Sequence, residues 1–293
     1  MTEQTDTSRG PEGQTCSSGG SSEIAHRLQD KMIETSLERI KHKLLVMSGK
    51  GGVGKSSIAA NLAVALADAG ERVGLMDVDL HGPSIPQILG LSGQLETKGK
   101  VAVPKPYSEK LGVVSIASLM PEGDDSATIW RGPLKIGVIR QFISDVKWDD
   151  LDFMVIDSPP GTGDEPLTVA QTIPDAYAII VTTPQEVSLA DVRRSINFCK
   201  QVDMKILGLI ENMGPFACPH CGKEIALFKS GGGKRTADAM SVPFLGSIPF
   251  DPQMVVACDA GTPLVEQKGS TPISEAFEDV IKNIKNRVLN PAG

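Results

Sequence analysis

Apolar positions along the chain form short continuous runs that are separated by segments with helical spacing. Three of these runs are "KLLVMS" at 43–48, "FMVIDSPP" at 153–160 and "AYAIIVTTP" at 176–184. Runs without in/out alternation are typical of strands that are buried on both faces. Because they alternate with helix-like segments, the pattern predicts an α/β fold with a mostly parallel β-sheet flanked by helices on both faces.

The two ends of the chain differ in pattern. Residues 1–22 are small, polar and Gly-rich, and we expect them to form a disordered tail. Residues 23–41 carry apolar side chains near helical spacing and predict a first helix, followed by a single domain over 23–293. The apolar positions of that first helix are Ile24, Leu28, Met32, Leu37 and Ile40. The apolar positions of the closing helix are Ile273, Phe277, Val280, Ile281, Ile284 and Val288.

Charge narrows the possible partners. The 293 residues carry a formal net charge of −7, which disfavours a protein that wraps nucleic acid, because nucleic-acid binding needs a basic field. No run of 18 apolar residues is present, and the N-terminus has no signal pattern. We therefore expect a cytoplasmic protein that binds neither a membrane nor nucleic acid.

The stretch "GKGGVGKS" at 49–56 fits the phosphate-loop template G-x-x-x-x-G-K-[ST] at every fixed position. It follows a predicted strand and opens a predicted helix, which is the structural context that the motif requires. Backbone N–H groups of such a loop surround phosphate oxygens, and the helix N-terminus adds positive potential. Lys55 is expected to reach the β- and γ-phosphates and Ser56 to ligate Mg²⁺. Lys234 in "SGGGKRTA" lacks this spacing and preceding strand, so it is expected in a turn that leads into a helix.

Carboxylates occur where phosphoryl transfer needs them. Asp77 and Asp79 follow one predicted strand, and Asp157 ends another, which is the position of a Walker B aspartate. An isolated aspartate after a strand would instead be a helix N-cap. Two such strand ends beside a complete phosphate loop favour the nucleotide interpretation.

Cys218 and Cys221, in "FACPHCGKE", form one CxxC pair among five cysteines. An odd cysteine count argues against a disulfide framework. The pair is compatible with a redox motif, half of a zinc site or half of an iron–sulfur site. Each metal site needs more ligands than this pair supplies, and two ordinary loop cysteines are the remaining possibility. Cys199 lies in an apolar helical stretch and is expected in the core, and Cys258 could lie there as well.

The stretch "KGGVGKS" resembles the deviant Walker A motif of the MinD/ParA/nitrogenase-iron-protein class, a SIMIBI-type P-loop NTPase fold. The resemblance implies that Lys50 reaches across a dimer interface to the partner's nucleotide. It implies that Asp79 is the switch I aspartate that acts on the attacking water, and that Gly161 and Asp164 belong to switch II. It also implies that Asn212 reads the adenine base. A two-fold axis would bring the CxxC pairs of both subunits together and provide four thiolates.

Blocks from about residue 43 to 260 resemble the Mrp/ApbC family of iron–sulfur cluster carrier ATPases. They include "DVDLHGPSIP", "VIDSPPGTGDEPLT", "VTTPQEVSLADVRR" and "CPHCG". The resemblance implies a homodimer that binds ATP and Mg²⁺, hydrolyses ATP slowly and transfers a bridging 4Fe-4S cluster to apo iron–sulfur proteins. Its catalytic residues would be Lys50, Lys55 and Asp79, and its cluster ligands Cys218 and Cys221. The nucleotide-binding residues would be Gly49, Lys50, Gly51, Gly52, Val53, Gly54, Lys55, Ser56, Ser57, Asp77, Asp157 and Asn212.

Two other functions stay open from the sequence. A MinD/ParA-type positioning ATPase would bind a membrane or DNA, but the closing helix mixes Glu and Lys on its polar face instead of presenting a basic one. A zinc-stabilised ATPase switch would use the cysteine pair without any cluster. Longer relatives carry four N-terminal cysteines for a second cluster. Because only Cys16 occurs in this tail, we expect no stable N-terminal cluster.

Overall fold

The computed structural model describes residues 19–80, 82–99, 101–119, 132–218, 220–266 and 271–290. The α-helices are α1 Gly19–Glu38, α2 Lys55–Asp68, α3 Ile85–Ile88, α4 Gly132–Ser144, α5 Asp164–Thr172, α6 Glu186–Gln201, α7 Gly232–Met240, α8 Pro252–Asp259 and α9 Pro272–Leu289. The strands are β1 Ile40–Ser48, β2 Val73–Asp77, β3 Glu96–Lys98, β4 Val101–Val103, β5 Lys105–Ser108, β6 Leu111–Ser115, β7 Leu151–Asp157, β8 Tyr177–Thr182, β9 Lys205–Gly214, β10 Phe216–Ala217, β11 Glu224–Ile225 and β12 Phe244–Pro249. Short 3₁₀ helices lie at Ile116–Leu119 and Leu264–Glu266.

An eight-stranded sheet with the order β12-β9-β8-β1-β7-β2-β6-β5 forms the centre of the fold. Its strands pair in parallel except at one edge, where β5 runs antiparallel to β6. The predicted mostly parallel sheet is therefore confirmed. Parallel strands align their carboxyl ends along one edge, so the residues that follow β1, β2, β7 and β9 meet there.

Both faces of the sheet are covered, as the continuous apolar runs predict. Along β1, Leu44 and Val46 pack on one side, and Leu45 and Met47 pack on the other. Helices α2 and α9 cover the first side, while α4 and α6 help to cover the second. The predicted apolar face of α9 is confirmed, because all six of its predicted residues are buried.

The first helix differs from its prediction in both bounds and orientation. It ends at Glu38, and Ile40 is the first residue of β1. Ile24 and Leu28 are 61% and 60% exposed, and the helix instead buries Ile33. The apolar face predicted for it is therefore wrong over its first half. Helix α1 also includes residues 19–22 of the predicted tail, whereas residues 1–18, including Cys16, lie outside the described residues.

Among the described residues, we find no helix long and apolar enough to cross a membrane.

Candidate functional site

The phosphate loop joins the end of β1 to the start of α2. Gly52 and Gly54 adopt positive φ angles of 77° and 80°, a conformation that glycine reaches without the steric penalty of a side chain. A Cβ on Gly54 would lie 2.3 Å from Nδ2 of Asn212, so this position has no space for a side chain. The loop therefore closes tightly over the α2 N-terminus, where N–H groups and the helix dipole favour an anion.

A cavity of about 310 Å³ lies against this loop. The loop and the α2 N-terminus form one wall, while Asp79, Ser84 and Pro160 come from neighbouring loops. Lys50 is half-buried and lines the cavity, and no partner for its ammonium group is found among the described residues. The backbone carbonyl of Lys50 accepts a 2.9 Å hydrogen bond from the Ser48 hydroxyl.

Lys55 is the central cation of the site and is only 6% exposed. Its ammonium donates to the Asp157 carboxylate and, at 3.1 Å, to the Ser56 hydroxyl. Oδ2 of Asp79 lies 3.8 Å from the same nitrogen. The lysine thus compensates two carboxylates that the end of the sheet places side by side.

Asp77 and Asp157 occupy paired register positions at the ends of β2 and β7. Burial, followed by the nearby charge of Asp157, raises the pKa of Asp77 to about 8. Burial also raises the pKa of Asp157, although Lys55 opposes this shift. Asp77 accepts hydrogen bonds from the backbone N–H of Asp79 at 3.1 Å and from the Ser115 hydroxyl at 3.0 Å.

One oxygen of Asp157 makes this site suitable for a cation. Its Oδ2 is buried and has no hydrogen-bond partner among the described residues. Buried acceptors are normally satisfied, so this oxygen fits a direct or water-mediated contact with a metal ion. The Ser56 hydroxyl lies beside the same lysine and supplies a second oxygen donor.

Asn212 lies near the end of β9 and contacts the phosphate loop from the opposite side. Its Nδ2 donates to the Val53 carbonyl at 2.9 Å, and the residue is 9% exposed. A second cavity, of about 230 Å³, opens beside it. Gly54, Met213, Phe250 and Met254 are among the residues that line this mostly apolar space.

The loop after β7 also approaches the phosphate loop. The backbone N–H of Gly161 donates to the Ser48 carbonyl at 2.8 Å, and Gly161 has a φ of 95°. Asp164 is the first residue of α5. Of the two predicted switch II residues, Gly161 therefore contacts the end of β1, and Asp164 begins α5.

The cysteine pair lies on the tip of a β-hairpin formed by β10 and β11. Cys218 is half-buried and Cys221 is exposed. The backbone N–H of Cys218 donates to the Lys223 carbonyl, and the N–H of Gly222 donates to the Cys218 carbonyl, both at 2.9 Å. Hydrogen bonds from the backbone of His220 and then of Cys221 lower the pKa of the Cys218 thiol. Thiolate character of this kind suits a metal ligand.

The hairpin provides an incomplete ligand set. In the described part of the chain, no three His, Cys, Asp or Glu side chains lie close enough together to hold a metal ion. Cys199 is fully buried, as predicted, and burial raises its pKa to about 12. Cys258 is half-buried in α8, with its sulfur 3.7 Å from the Ser57 hydroxyl.

Sequence reasoning missed two residues that connect these features. Glu211 is 2% exposed, and its carboxylate accepts from the backbone N–H of Gly233 at 2.6 Å. Phe250 follows β12 and packs near Phe216 and Phe228. A carboxylate inside an apolar strand was the available signal for Glu211, but its partners lie 20 or more residues away along the chain.

The parallel sheet, the phosphate loop and the buried Lys55–Asp157 pair define a P-loop ATPase of the MinD/ParA-like class. A solved nucleotide-binding protein from Archaeoglobus fulgidus in complex with ADP has a TM-score of 0.70 and 36% identity, covering 83% of this chain and 98% of that one. The cell division ATPase MinD from Pyrococcus furiosus gives 0.62 and 25%, covering 84% and 99%.

A family model described as NUBPL iron-transfer P-loop NTPase matches residues 39–285. An iron-sulfur cluster carrier protein from Methanocaldococcus jannaschii is 46% identical over 262 residues, which are 89% of either chain. The chain belongs to this family of iron–sulfur cluster carrier ATPases, and the predicted Mrp/ApbC relationship is confirmed.

Proposed function

We propose that the protein works as a homodimer that holds a 4Fe-4S cluster between two subunits and transfers it to apo-proteins. The observation that carries this proposal is the hairpin with Cys218 and Cys221, which provides two thiols and no third ligand among the described residues. A cluster of this type is held by four cysteine thiolates. A two-fold axis through the hairpin tips would provide all four, because a symmetric interface apposes the same surface of both subunits.

The nucleotide site supports a role for ATP in this carrier. We assign the phosphates to the cavity that is lined by the phosphate loop and the start of α2, and the adenine base to the second cavity next to Asn212. Mg²⁺ held by Ser56 and Asp157 would neutralise charge on the β- and γ-phosphates. Asp77 supports this arrangement from the next strand, where its neutral form can lie beside Asp157.

In the proposed hydrolysis of ATP, each charged residue would have a separate role. Water attacks the γ-phosphorus, the bond from phosphorus to the bridging β-phosphate oxygen breaks, and ADP and phosphate are released. Lys55 would exchange its carboxylate partners for phosphate oxygens, while Asp79 orients the attacking water. Lys50 lines the cavity and has no ammonium partner in the described part of the chain, so its charge would be available to a nucleotide bound across the proposed interface.

Nucleotide state would set the geometry of the dimer. The loops that carry Asp79 and Gly161 border the phosphate cavity or the loop around it. Loss of the γ-phosphate would release their contacts, as in other nucleotide-dependent switches. Because the cluster is shared by two subunits, this movement would change its exposure to an acceptor.

Anaerobic reconstitution tests the cluster assignment. Wild-type protein should bind about four irons and four sulfides per dimer, with the absorption of a cluster ligated by cysteines. The double variant Cys218→Ala/Cys221→Ala should lose this iron, whereas Cys258→Ser should keep it as a matched cysteine control. Equal iron in the double variant and the wild type would refute the assignment, and zinc in protein purified without oxygen would favour a structural site.

Transfer is tested with the reconstituted dimer and an apo-protein that accepts a 4Fe-4S cluster. Activation of the acceptor should require the donor cysteines, and its rate should depend on ATP. A chelator control separates direct transfer from iron released into solution. If the chelator abolishes activation, the carrier proposal fails.

A further inference from the structure

The aromatic ring of Phe250 lies between the two functional parts of the chain. Phe250 lines the second cavity together with Asn212 and Met213. Its ring centroid also lies 5.5 Å from that of Phe216 and 6.3 Å from that of Phe228. Both distances lie in the range of favourable aromatic pairs. One side chain therefore contacts the proposed base pocket and the segment that carries the cysteines.

Phe216 connects this ring to the metal ligands. It is the first residue of β10, the strand that leads directly to Cys218. Its partner in the hairpin register is Ile225, on the strand that follows Cys221. Phe216 therefore lies at the base of the hairpin, and both strands that lead to the cysteines are paired at its position.

Both ends of the segment 215–231 are fixed near the end of β9. At one end, the Gly214 carbonyl accepts a 3.0 Å hydrogen bond from the N–H of Phe250. At the other end, the Glu211 carboxylate accepts from the N–H of Gly231 at 3.3 Å and of Gly233 at 2.6 Å. Because these anchors restrict the ends of the segment, a change in the packing of Phe250 would act on the hairpin between them.

The backbone between the pocket and the hairpin is in a conformation that side chains rarely adopt. Met213 has a φ of 58°, which is uncommon for a residue other than glycine. Such positions occur where the surrounding structure enforces them, often at ligand clamps and switch regions. Met213 itself lines the base pocket and directly precedes Gly214, so a ligand in this pocket would contact the residue that holds the unusual conformation.

We propose that Phe250 is a positioning residue that couples the base pocket to the cysteine hairpin within one subunit. A purine nucleotide in the pocket contacts Phe250, shifts its packing on Phe216 and thereby changes the reactivity of Cys218 and Cys221. The inference rests on the proposed nucleotide site and not on the identity of the metal. It adds an internal path to the movement of subunits described above.

Thiol labelling of the full-length, metal-free, reduced protein tests this coupling. Iodoacetamide labelling of the peptide that contains Cys218 and Cys221 is followed by mass spectrometry, with and without saturating Mg²⁺ and ADP. We expect ADP to change the labelling rate by at least about threefold, within the range of measured site-to-site couplings. Peptide resolution keeps Cys258, which itself lines the base pocket, out of the measurement.

Two variants separate the proposed path from a general loss of structure. Phe216→Leu should reduce the ADP effect to about onefold while the Kd for ADP stays within about twofold, because Phe216 lies outside the pocket lining. Leu227→Ala removes an exposed apolar side chain from the same segment and should keep the wild-type effect.

The two proposals fail in different ways. If ADP binds but leaves the wild-type labelling rate unchanged, or if Phe216→Leu keeps the full effect, the coupling is refuted and the nucleotide site stands. If ADP does not bind to the wild-type protein, the proposed nucleotide site is refuted, and the coupling with it.

Discussion

The phosphate loop and the cysteine hairpin differ in how completely their polar side chains are partnered within one chain. At the phosphate loop, Lys55, Asp157 and Asp79 lie together in the interior and compensate one another within a single chain. At the hairpin, Cys221 is exposed and Cys218 has its backbone hydrogen bonds but no further ligand among the described residues. The nucleotide-site residues are therefore largely partnered within one chain, whereas the hairpin depends on further ligands, which the proposed function assigns to a second subunit.

Lys50 provides the strongest test of this contrast, because the proposed role makes hydrolysis depend on the partner subunit as well. Lys50→Ala should lower the rate of phosphate release on the order of 10³-fold, as for a charge supplied in trans to phosphoryl transfer. Binding of nucleotide, measured by titration calorimetry, should change little.

Lys234→Ala is the matched control, since Lys234 is an exposed lysine that also follows a run of glycines. It should retain wild-type hydrolysis. Mixing Lys50→Ala with Lys55→Ala subunits should restore hydrolysis, because a mixed dimer has one site with both lysines. Mixed dimers without restored hydrolysis would show that Lys50 acts within its own subunit.

Glu211 is a buried carboxylate like those at the phosphate loop, and it anchors the segment that carries the cysteine hairpin. Glu211→Gln replaces a charged acceptor of two backbone N–H groups at the start of α7 and should lower the free energy of unfolding by about 1–3 kcal/mol. Urea unfolding followed by circular dichroism measures this loss. Glu224→Gln, at an exposed hairpin position, should change stability by less than about 0.5 kcal/mol. Equal effects of the two substitutions would contradict the assigned role.

Asp77 makes the stability of the buried site depend on pH. Its pKa is raised from 3.8 to about 8, so the folded protein holds a proton that the unfolded chain has released between these values. The stabilisation is complete below pH 3.8 and is lost as the pH rises towards 8. Compared with wild type, Asp77→Asn should gain stability with increasing pH, by at most about 1.4 kcal/mol per pH unit. Parallel pH profiles in urea unfolding would contradict this assignment.

The smallest expected effect concerns the thiols themselves. Cys218 and Cys258 are both half-buried, so the lowered pKa of Cys218 predicts faster alkylation near neutral pH at Cys218 than at Cys258. Labelling followed for each peptide should show a several-fold difference in the metal-free protein. A faster reaction at Cys258 would argue against thiolate character at the hairpin.

The apolar pattern was sufficient to predict those strands and helices whose burial follows from the order of residues within the element itself. The continuous apolar runs predicted β1, β7 and β8 because both faces of these strands are buried, and the closing helix followed from its spacing. Helix α1 was placed with the wrong face inward, since spacing alone does not show which side meets the sheet. The exposed apolar stripe of α1, which contains Met32, has the same helical period as a buried stripe would have.

For the candidate functional site as well, the sequence predicted residues in local motifs but not residues that come together through long-range contacts. Loop spacing predicted Lys55 and Ser56, and strand ends predicted Asp77 and Asp157. Glu211 and Phe250 were missed because both contact residues that are distant along the chain. The pairing of β9 with β12 brings these two residues near the cysteine hairpin, and sequence spacing does not predict that pairing.

The anchoring by Glu211 gives the hairpin the character of a module. The chain leaves the sheet at Gly214, and Gly231 at the start of α7 donates to Glu211 of the strand that it left, so both ends of the intervening segment lie near the end of β9. Segments of this kind tolerate exchange, because their removal leaves the neighbouring backbone pairing intact. A short glycine-serine turn grafted in place of 215–230 should therefore yield a folded ATPase core that lacks Cys218 and Cys221.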